Sequence, residues 1–348
     1  MNTVMFGDRP VGAGAPVYII AEAGSNHDRN LDQAKRLIDV AAEAGADAVK
    51  FQTFAADRIV AEPPTRAAYL DDILPAGKTM SELFRELELP REWHAELFGH
   101  ATAAGLDFIS TPFDFEAIDL LDDLGVKVFK VATYELWHLP LIREIASRGK
   151  PVICSTGMAD MADVQEAVDT VTAAGNDQLV LLHCVVNYPP PFGDLNLRAI
   201  QTMREAFGVP VGYSDHSPGL TAPIVATALG AAVIEKHYTI SRDLPGPDHR
   251  FALEPGELKA MVRSIRDAQA ALGSGIKRMA PAEADLYVTA RRSLFAARDI
   301  PSGTVLTADD IAVLRPGTGI EVHDLDKLVG RTTKRAVMRH EPLAWEMF

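Results

Sequence analysis

Along its first 240 residues the chain alternates between two textures. Short, mostly apolar, β-branched runs are each followed by a longer stretch rich in Ala, Leu and Glu with helical spacing. The runs are Val17–Gly24, Ala48–Phe54, Asp107–Phe113, Val128–Thr133, Pro151–Thr156, Leu179–Val186, Val211–Asp215 and Val233–Thr239, eight in all. Runs this apolar suit parallel strands buried on both faces, with the helices between them as crossovers. Among those helices, Asn30–Ala44 carries Leu31, Ala34, Leu37, Ile38 and Ala41 on one face and stops at Gly45, a C-terminal glycine signal. Asp160–Ala174 ends at Gly175 in the same way, and Ser81–Leu89, Arg91–Ala104 and Glu257–Leu272 complete the clear cases. The longest inter-strand segment also holds a loop around Pro63, Pro64 and Pro75. Eight β/α units with no nucleotide-type glycine loop after the first strand predict a closed (β/α)8 TIM barrel rather than an open doubly wound sheet.

Beyond Leu272 the texture changes. Gly273-Ser274-Gly275 and Ala280-Pro281-Ala282 read as linker, and from about Arg291 short strands alternate with turns: Ser293–Ala297, Val305–Thr307 and Ile311–Leu314. The predicted organisation is a barrel over 1–275, a linker over 276–290 and a small β-rich domain over 291–348, too small to stand without support from a neighbour.

Charge narrows the class of function. With 34 Lys and Arg against 48 Asp and Glu the net charge is −14, which disfavours nucleic acid and anionic membrane as partners. An anionic substrate would have to be met by a few locally placed cations. Met1–Pro10 shows no signal-peptide pattern, and the apolar stretch Ala222–Ile234 is too short to span a bilayer. Cys154 and Cys184, the only cysteines, sit in apolar runs and read as reduced core residues of a cytoplasmic protein.

In such a barrel the chemistry sits where the strands end. Polar residues concentrate there: Glu22 with Asn26 and His27; Lys50 and Gln52; Ser110-Thr111; Lys130 followed by Thr133 and Glu135; Ser155; Asn187-Tyr188; Ser214-Asp215-His216; Glu235 and His237; and Asp248-His249 beyond. Two-residue alternation puts Lys50 with Gln52, and Glu235 with His237, on common faces. Lys50 and Lys130, with Ser110, Thr133, Ser155 and Ser214 near them, make a floor for phosphate and carboxylate. The alternative is that Lys50 pairs with Glu22, and Lys130 with Glu135, as structural ion pairs. His216 and His237 end adjacent strands, with Glu22 beside them, which suits an octahedral Mn²⁺, with Mg²⁺ or Co²⁺ as alternatives, completed by water and substrate oxygens. His27, His94, His100, His138 and His323 read as surface or rim residues and His183 as structural, while His249 carries no assignment.

These segments, in order, resemble the sialic acid synthases, a family that covers N-acetylneuraminate, legionaminate and pseudaminate synthases and related spore-coat enzymes. The resemblance is carried by Ala21-Glu22-Ala23-Gly24 with Asn26-His27, Val49-Lys50-Phe51-Gln52, Ser110-Thr111-Pro112-Phe113-Asp114, Ser155-Thr156-Gly157-Met158, Gly212-Tyr213-Ser214-Asp215-His216, Ile234-Glu235-Lys236-His237 and Pro245-Gly246-Pro247-Asp248-His249. The C-terminal part is similar to the family's antifreeze-like SAF domain through Ala297-Arg298-Asp299-Ile300 and Arg315-Pro316-Gly317-Thr318-Gly319-Ile320. The resemblance implies condensation of phosphoenolpyruvate with an amino-sugar aldehyde, with His216 and His237 on the metal and Glu22 near it. It implies phosphoenolpyruvate held by Lys50, Lys130, Ser110, Thr133, Ser155 and Ser214, and the sugar by Gln52, Tyr188, Asp248 and Arg315. Glu135 and Glu235 would support the lysines or relay protons. It also implies a homodimer in which the small domain is swapped onto the partner's barrel, bringing Arg315 in trans. One departure stands out: Val185 and Val186 occupy positions where the family usually has Thr with Ser or Asn, so a polar contact would shift to Asn187 or be lost. The rival readings are a 3-deoxy sugar-acid synthase acting on a phosphorylated aldose and a non-catalytic sugar-binding protein.

Overall fold

The computed structural model of the chain describes residues 3–61 and 79–348; the loop around Pro63, Pro64 and Pro75 lies outside them. The chain divides into two compact units, Met1–Gly273 and Ser274–Phe348.

Before the predicted strands comes an element the hydrophobic pattern does not announce. β1 (Thr3–Phe6) and β2 (Arg9–Gly12) form an antiparallel hairpin, its strands too short for periodicity to register. The eight parallel strands follow: β3 (Tyr18–Gly24), β4 (Ala48–Thr53), β5 (Asp107–Pro112), β6 (Phe129–Val131), β7 (Val152–Ser155), β8 (Leu179–Cys184), β9 (Val211–Asp215) and β10 (Val233–His237). They pair in the order β5-β4-β3-β10-β9-β8-β7-β6, and the two end strands, β5 and β6, also pack together. The sheet is therefore a closed barrel, as the eight-run pattern predicts.

Two apolar clusters fill it. Ile20, Ala48, Ile109, Val128, Ile153, Val180 and Val233 point inward, and Val4, Phe6 and Val11 of the hairpin join them, with the Phe6 ring edge-on to Tyr18 at 5.1 Å. The alternate residues, among them Ile19, Val49, Phe108, Phe129, Cys154, Leu181 and Ile234, face outward against the helices. Those helices are α1 (Leu31–Ala44), α2 (Ala56–Ile59), α3 (Met80–Leu87), α4 (His94–Ala103), α5 (Phe115–Leu124), α6 (Leu139–Ser147), α7 (Met161–Ala173), α8 (Ala199–Phe207), α9 (Thr221–Ala228) and α10 (Pro255–Leu272). Local chemistry sets their ends. Asn30 caps α1 by accepting from the Gln33 amide, and Gly45 closes it at φ 81°, a left-handed conformation that a side chain would strain. No helix among the described residues is long and apolar enough to cross a membrane.

The second unit has its own core, built on Leu294, Ala296, Ile300, Leu306, Leu328, Val337 and Leu343. β11 (Ser293–Ala296) pairs antiparallel with β12 (Ile311–Leu314). The expected Val305–Thr307 strand is a single bridge, Val305 to Thr332. The segment read as linker carries a short helix, α11 (Ala284–Thr289), and another, α12 (Leu325–Leu328), follows β12.

Candidate active site

Strand alternation decides which side chains meet inside the barrel. At the C-terminal ends of the strands the inward positions below the mouth are Glu22, Lys50, Gln52, Thr111, Lys130, Ser155, Ser214, Glu235 and His237. Burying charge at these positions is costly unless it is paired or put to use.

Lys50 is paired. Its Nζ lies 2.8 Å from Glu22 Oε2 and 3.8 Å from Glu235 Oε2 and donates to Thr111 Oγ1 at 3.4 Å. Gln52 Nε2 donates to the other Glu22 oxygen at 2.9 Å, and Ser214 Oγ donates to Glu235 Oε1 at 3.0 Å. Burial opposes the charge on each group. For Lys50 the two carboxylates outweigh that cost and raise its pKa. For Glu235, Lys130 and Lys50 outweigh it and hold the carboxyl below its usual range. Glu22 ends the other way: burial dominates and pushes its carboxyl up, although Lys50 pulls it down.

Lys130 differs. It is 2 % exposed, and its Nζ donates to the Ser155 hydroxyl at 2.6 Å and to the Val131 carbonyl at 2.9 Å. Among the described residues no carboxylate lies within ion-pair distance of it, so the Lys130–Glu135 pair considered from sequence does not form as a contact. Burial accordingly lowers its pKa, offset partly by the field of Glu235. A buried ammonium with only neutral partners in contact could hold an anion. Beside it, Thr133 Oγ1 meets Cys184 Sγ at 3.1 Å and accepts from the Gly157 amide at 3.2 Å. A Cβ at Gly157 would sit 2.7 Å from that sulfur, so only glycine lets the loop pass there.

His216 and His237 come together as expected from adjacent strands, their ring centroids 5.5 Å apart. His216 Nδ1 lies 3.0 Å from the Val185 carbonyl. A carbonyl can only accept, so Nδ1 carries the proton and Nε2 keeps its lone pair. His237 Nδ1 is buried without a hydrogen-bond partner among the described residues, and Asp248 Oδ2 stands 3.9 Å away. Burial holds both rings below the usual histidine range, His237 strongly so, with His216 and Lys50 adding to the effect there. Both are thus neutral imidazoles, the form that binds a metal. Among the described residues no group of three or more His, Cys, Asp or Glu is gathered to hold an ion. The pair fits an ion that takes its remaining ligands from substrate and water. Tyr188, at 4.4 Å from the His216 ring, and Phe251, at 5.2 Å from the His237 ring, wall the pair on one side.

Several expected site residues lie elsewhere. The β4–β5 register sets Lys50 opposite Ile109 and Gln52 opposite Thr111. Ser110 therefore faces the helices, where it bonds Thr53 Oγ1 at 2.7 Å, and Thr53 in turn bonds His94 Nε2 at 2.7 Å. Thr111 occupies the inward place assigned to Ser110, and alternation through Asp107, Ile109 and Thr111 is the signal that identifies it. Asn187 is exposed, and its Oδ1 accepts from the Tyr188 amide at 3.0 Å, so it supplies its own loop. His94 and His27 are buried rather than on the rim, because each packs behind the barrel wall, His94 against Phe108 and His27 against Phe51. His183 bonds the Leu195 carbonyl at 2.7 Å, a structural role. Glu135 is half-buried, its Oε2 without a hydrogen-bond partner, and burial pushes its carboxyl up to about 7 against the pull of Lys130. Asp248 is pushed up by burial to about 6. Arg315 belongs to the second unit and is exposed there. Phe251 has no counterpart in the sequence reading.

Known proteins match this arrangement over nearly the whole chain. The NeuB family model matches residues 37–277 and the SAF domain model residues 291–348. An N,N'-diacetyllegionaminic acid synthase of Legionella pneumophila is 43 % identical over 99 % of this chain and 98 % of its own length. The human N-acetylneuraminate-9-phosphate synthase is 35 % identical over 97 % and 94 %. Among solved structures, an N-acetylneuraminic acid synthetase of Leptospira borgpetersenii, crystallised with citrate, superposes with a TM-score of 0.74 at 33 % identity, covering 82 % of this chain and 94 % of that one. A barrel with this floor, this neutral histidine pair and a C-terminal SAF domain is an enzyme of the synthase type, and the chain belongs to the NeuB family.

Proposed function

We propose that the enzyme condenses phosphoenolpyruvate with an open-chain N-acetylated amino-sugar aldehyde and releases phosphate and a nonulosonic acid. The preferred sugar is a 6-deoxy diacetamido hexose, ahead of N-acetylmannosamine, since the legionaminic acid synthase is the more identical of the two relatives. The reading rests above all on Lys130, a buried cation beside Ser155 with no carboxylate in contact among the described residues. In this reading the phosphate group fills that deficit, and the phosphoenolpyruvate carboxylate lies toward Lys50 and Thr111. Catalysis is then mostly positioning and preorganised charge.

The phosphoenolpyruvate methylene carbon attacks the aldehyde carbon, water adds at C2 of the resulting cation, and phosphate leaves by C–O cleavage, giving a 2-keto-3-deoxy acid. A divalent ion, Mn²⁺ before Mg²⁺ or Co²⁺, held by His216 and His237, would polarise the aldehyde oxygen. Glu235, kept ionised by the two lysines and by Ser214, holds Lys50 in place. Glu135, poised near neutrality, exchanges a proton at the phosphate side. Gln52, Tyr188 and Asp248 line the sugar side. The experiment is phosphate release from phosphoenolpyruvate with Mn²⁺, comparing 6-deoxy diacetamido hexoses with N-acetylmannosamine. Release that requires one of these sugars and stops with chelator is the expected result. Release only with a phosphorylated aldose that carries no acetamido group would replace this function with that of a 3-deoxy sugar-acid synthase.

The reading extends to assembly in the cytoplasm as a homodimer. Phe115, Trp137, Met158, Met161 and Phe192 are large apolar side chains that remain exposed, and all lie just beyond β5, β6, β7 and β8. The SAF domain of a second copy would cover them and bring Arg315 to the sugar in trans. The species in solution should have twice the 37.7 kDa of the chain. Co-expressing an inactive Lys130→Met chain with an Arg315→Ala chain should restore roughly a quarter of the sites in a statistical mixture of swapped dimers. No recovery would rule out the swap.

A further inference from the structure

The loop after β10 carries Asp248, and a buried pair of residues outside the site ties that loop to the one after β3. His249 is 0 % exposed. Its Nε2 lies 3.0 and 3.1 Å from the two carboxylate oxygens of Asp28, and its Nδ1 lies 2.6 Å from Thr239 Oγ1. The Thr239 hydroxyl donates to the Ser241 carbonyl at 3.0 Å, so its oxygen is left to accept and the imidazole donates to it. A carboxylate only accepts, so the ring donates to Asp28 as well, in a charge-assisted bond. Asp28 is held in turn by α1, for Gln33 Nε2 donates to it at 2.6 Å and to the Asn26 carbonyl at 2.7 Å.

The backbone is bent to make this contact. Asp28 and Arg29 are consecutive non-glycine residues in the left-handed region, at φ 46° and 54°, a conformation that persists only where surrounding contacts enforce it. On the facing loop, a Cβ at Gly246 would stand 2.5 Å from Asp28 Oδ1 and 2.9 Å from the His249 ring. Two strand-end loops, more than 200 residues apart in sequence, are thus pressed together around one hydrogen-bonded imidazole. The next residue on the loop, Asp248, faces His237 at 3.9 Å and accepts from Ser25 Oγ at 3.4 Å.

We propose that Asp28 and His249 form a latch that positions Asp248 against the sugar, acting on the aldehyde partner of the reaction and not on phosphoenolpyruvate. The pair acts through the loop that carries Asp248, so these are positioning residues, and the proposal rests on the function given above. The test compares His249→Gln, which keeps a donor where Nε2 stood and so retains the bond to Asp28, with His249→Asn, which keeps only the Nδ1-side donor to Thr239. His249→Asn should raise KM for the sugar by about ten- to a hundredfold with KM for phosphoenolpyruvate changed less than about twofold, and His249→Gln should recover most of the loss. Asp28→Asn should reproduce the His249→Asn pattern, and it serves as the second variant if His249→Asn does not fold. Equal behaviour of the Gln and Asn variants, or KM values for both substrates rising together, would overturn the latch. If the wild-type enzyme turns over no sugar, the proposed function fails by itself, and amide exchange over residues 245–252 decides the latch: faster exchange in His249→Asn than in His249→Gln supports it, and equal exchange removes it.

Discussion

Lys130→Met is expected to give a protein that melts higher than wild type and no longer releases phosphate from phosphoenolpyruvate. Both halves follow from the buried ammonium having no carboxylate in contact among the described residues, Glu235 acting on it only through its field. Replacing a buried charge by a side chain of similar volume removes a desolvation penalty, and such changes often stabilise by about 1–4 kcal/mol. The same charge is the phosphate's main partner in the proposed reaction, and removing one preorganised electrostatic contact costs on the order of 10²–10³ in rate or more. Lys50→Met should behave in the opposite way. It would strand Glu22 and Glu235, which are fully buried and share that cation, and destabilise the fold by about 3–5 kcal/mol. Thermal melts of the two variants, with phosphate release measured alongside, check the pair. A Lys130→Met protein less stable than wild type would mean that this lysine is part of a structural network, and normal turnover would remove it from the site.

Glu135→Gln carries the second large effect, and its sign depends on pH. Burial raises this carboxyl from its ordinary 4.5 to about 7, so between those values the folded protein binds a proton that the unfolded chain has released. Stability from that proton is fully present below about 4.5 and is lost as pH rises through about 7. Glutamine stays neutral throughout. At pH 8 the variant should therefore be more stable than wild type by on the order of 3 kcal/mol, a gap that closes as the pH is lowered toward 4.5. Its kcat/KM should fall and lose the inflection near neutrality expected of the wild-type profile. Melts at several pH values check the first part and a pH–rate profile the second. An unchanged profile would take Glu135 out of proton transfer, and a stability gap independent of pH would show that its carboxyl is not shifted.

The eight apolar runs, the capped start of α1 at Asn30 and its stop at Gly45 were all legible because each is a local matter of periodicity and capping within one turn or one strand. Alternation along a single strand likewise placed Lys50 with Gln52 and Glu235 with His237. Its limit shows at Ser110 and Thr111, adjacent hydroxyls of which only one faces the interior. Which one does so depends on the register of β5 against β4, and register comes from the neighbouring strand and the closure of the barrel. The β1–β2 hairpin escaped notice because four-residue strands are too short for a pattern. The pattern suggests surface or rim places for His94 and His27, since nothing local shows that a helix or a wall of phenylalanines will cover them. By itself, then, the sequence determined the order of the eight barrel strands and the residue types at the strand ends. The tertiary structure alone decided that, among the described residues, Lys50 shares two carboxylates while Lys130 contacts none and His237 Nδ1 is left unpartnered, and that Asp28 meets His249 across 221 residues. These are differences of pairing and desolvation, and both depend on which distant atoms the closed barrel brings within a few ångströms.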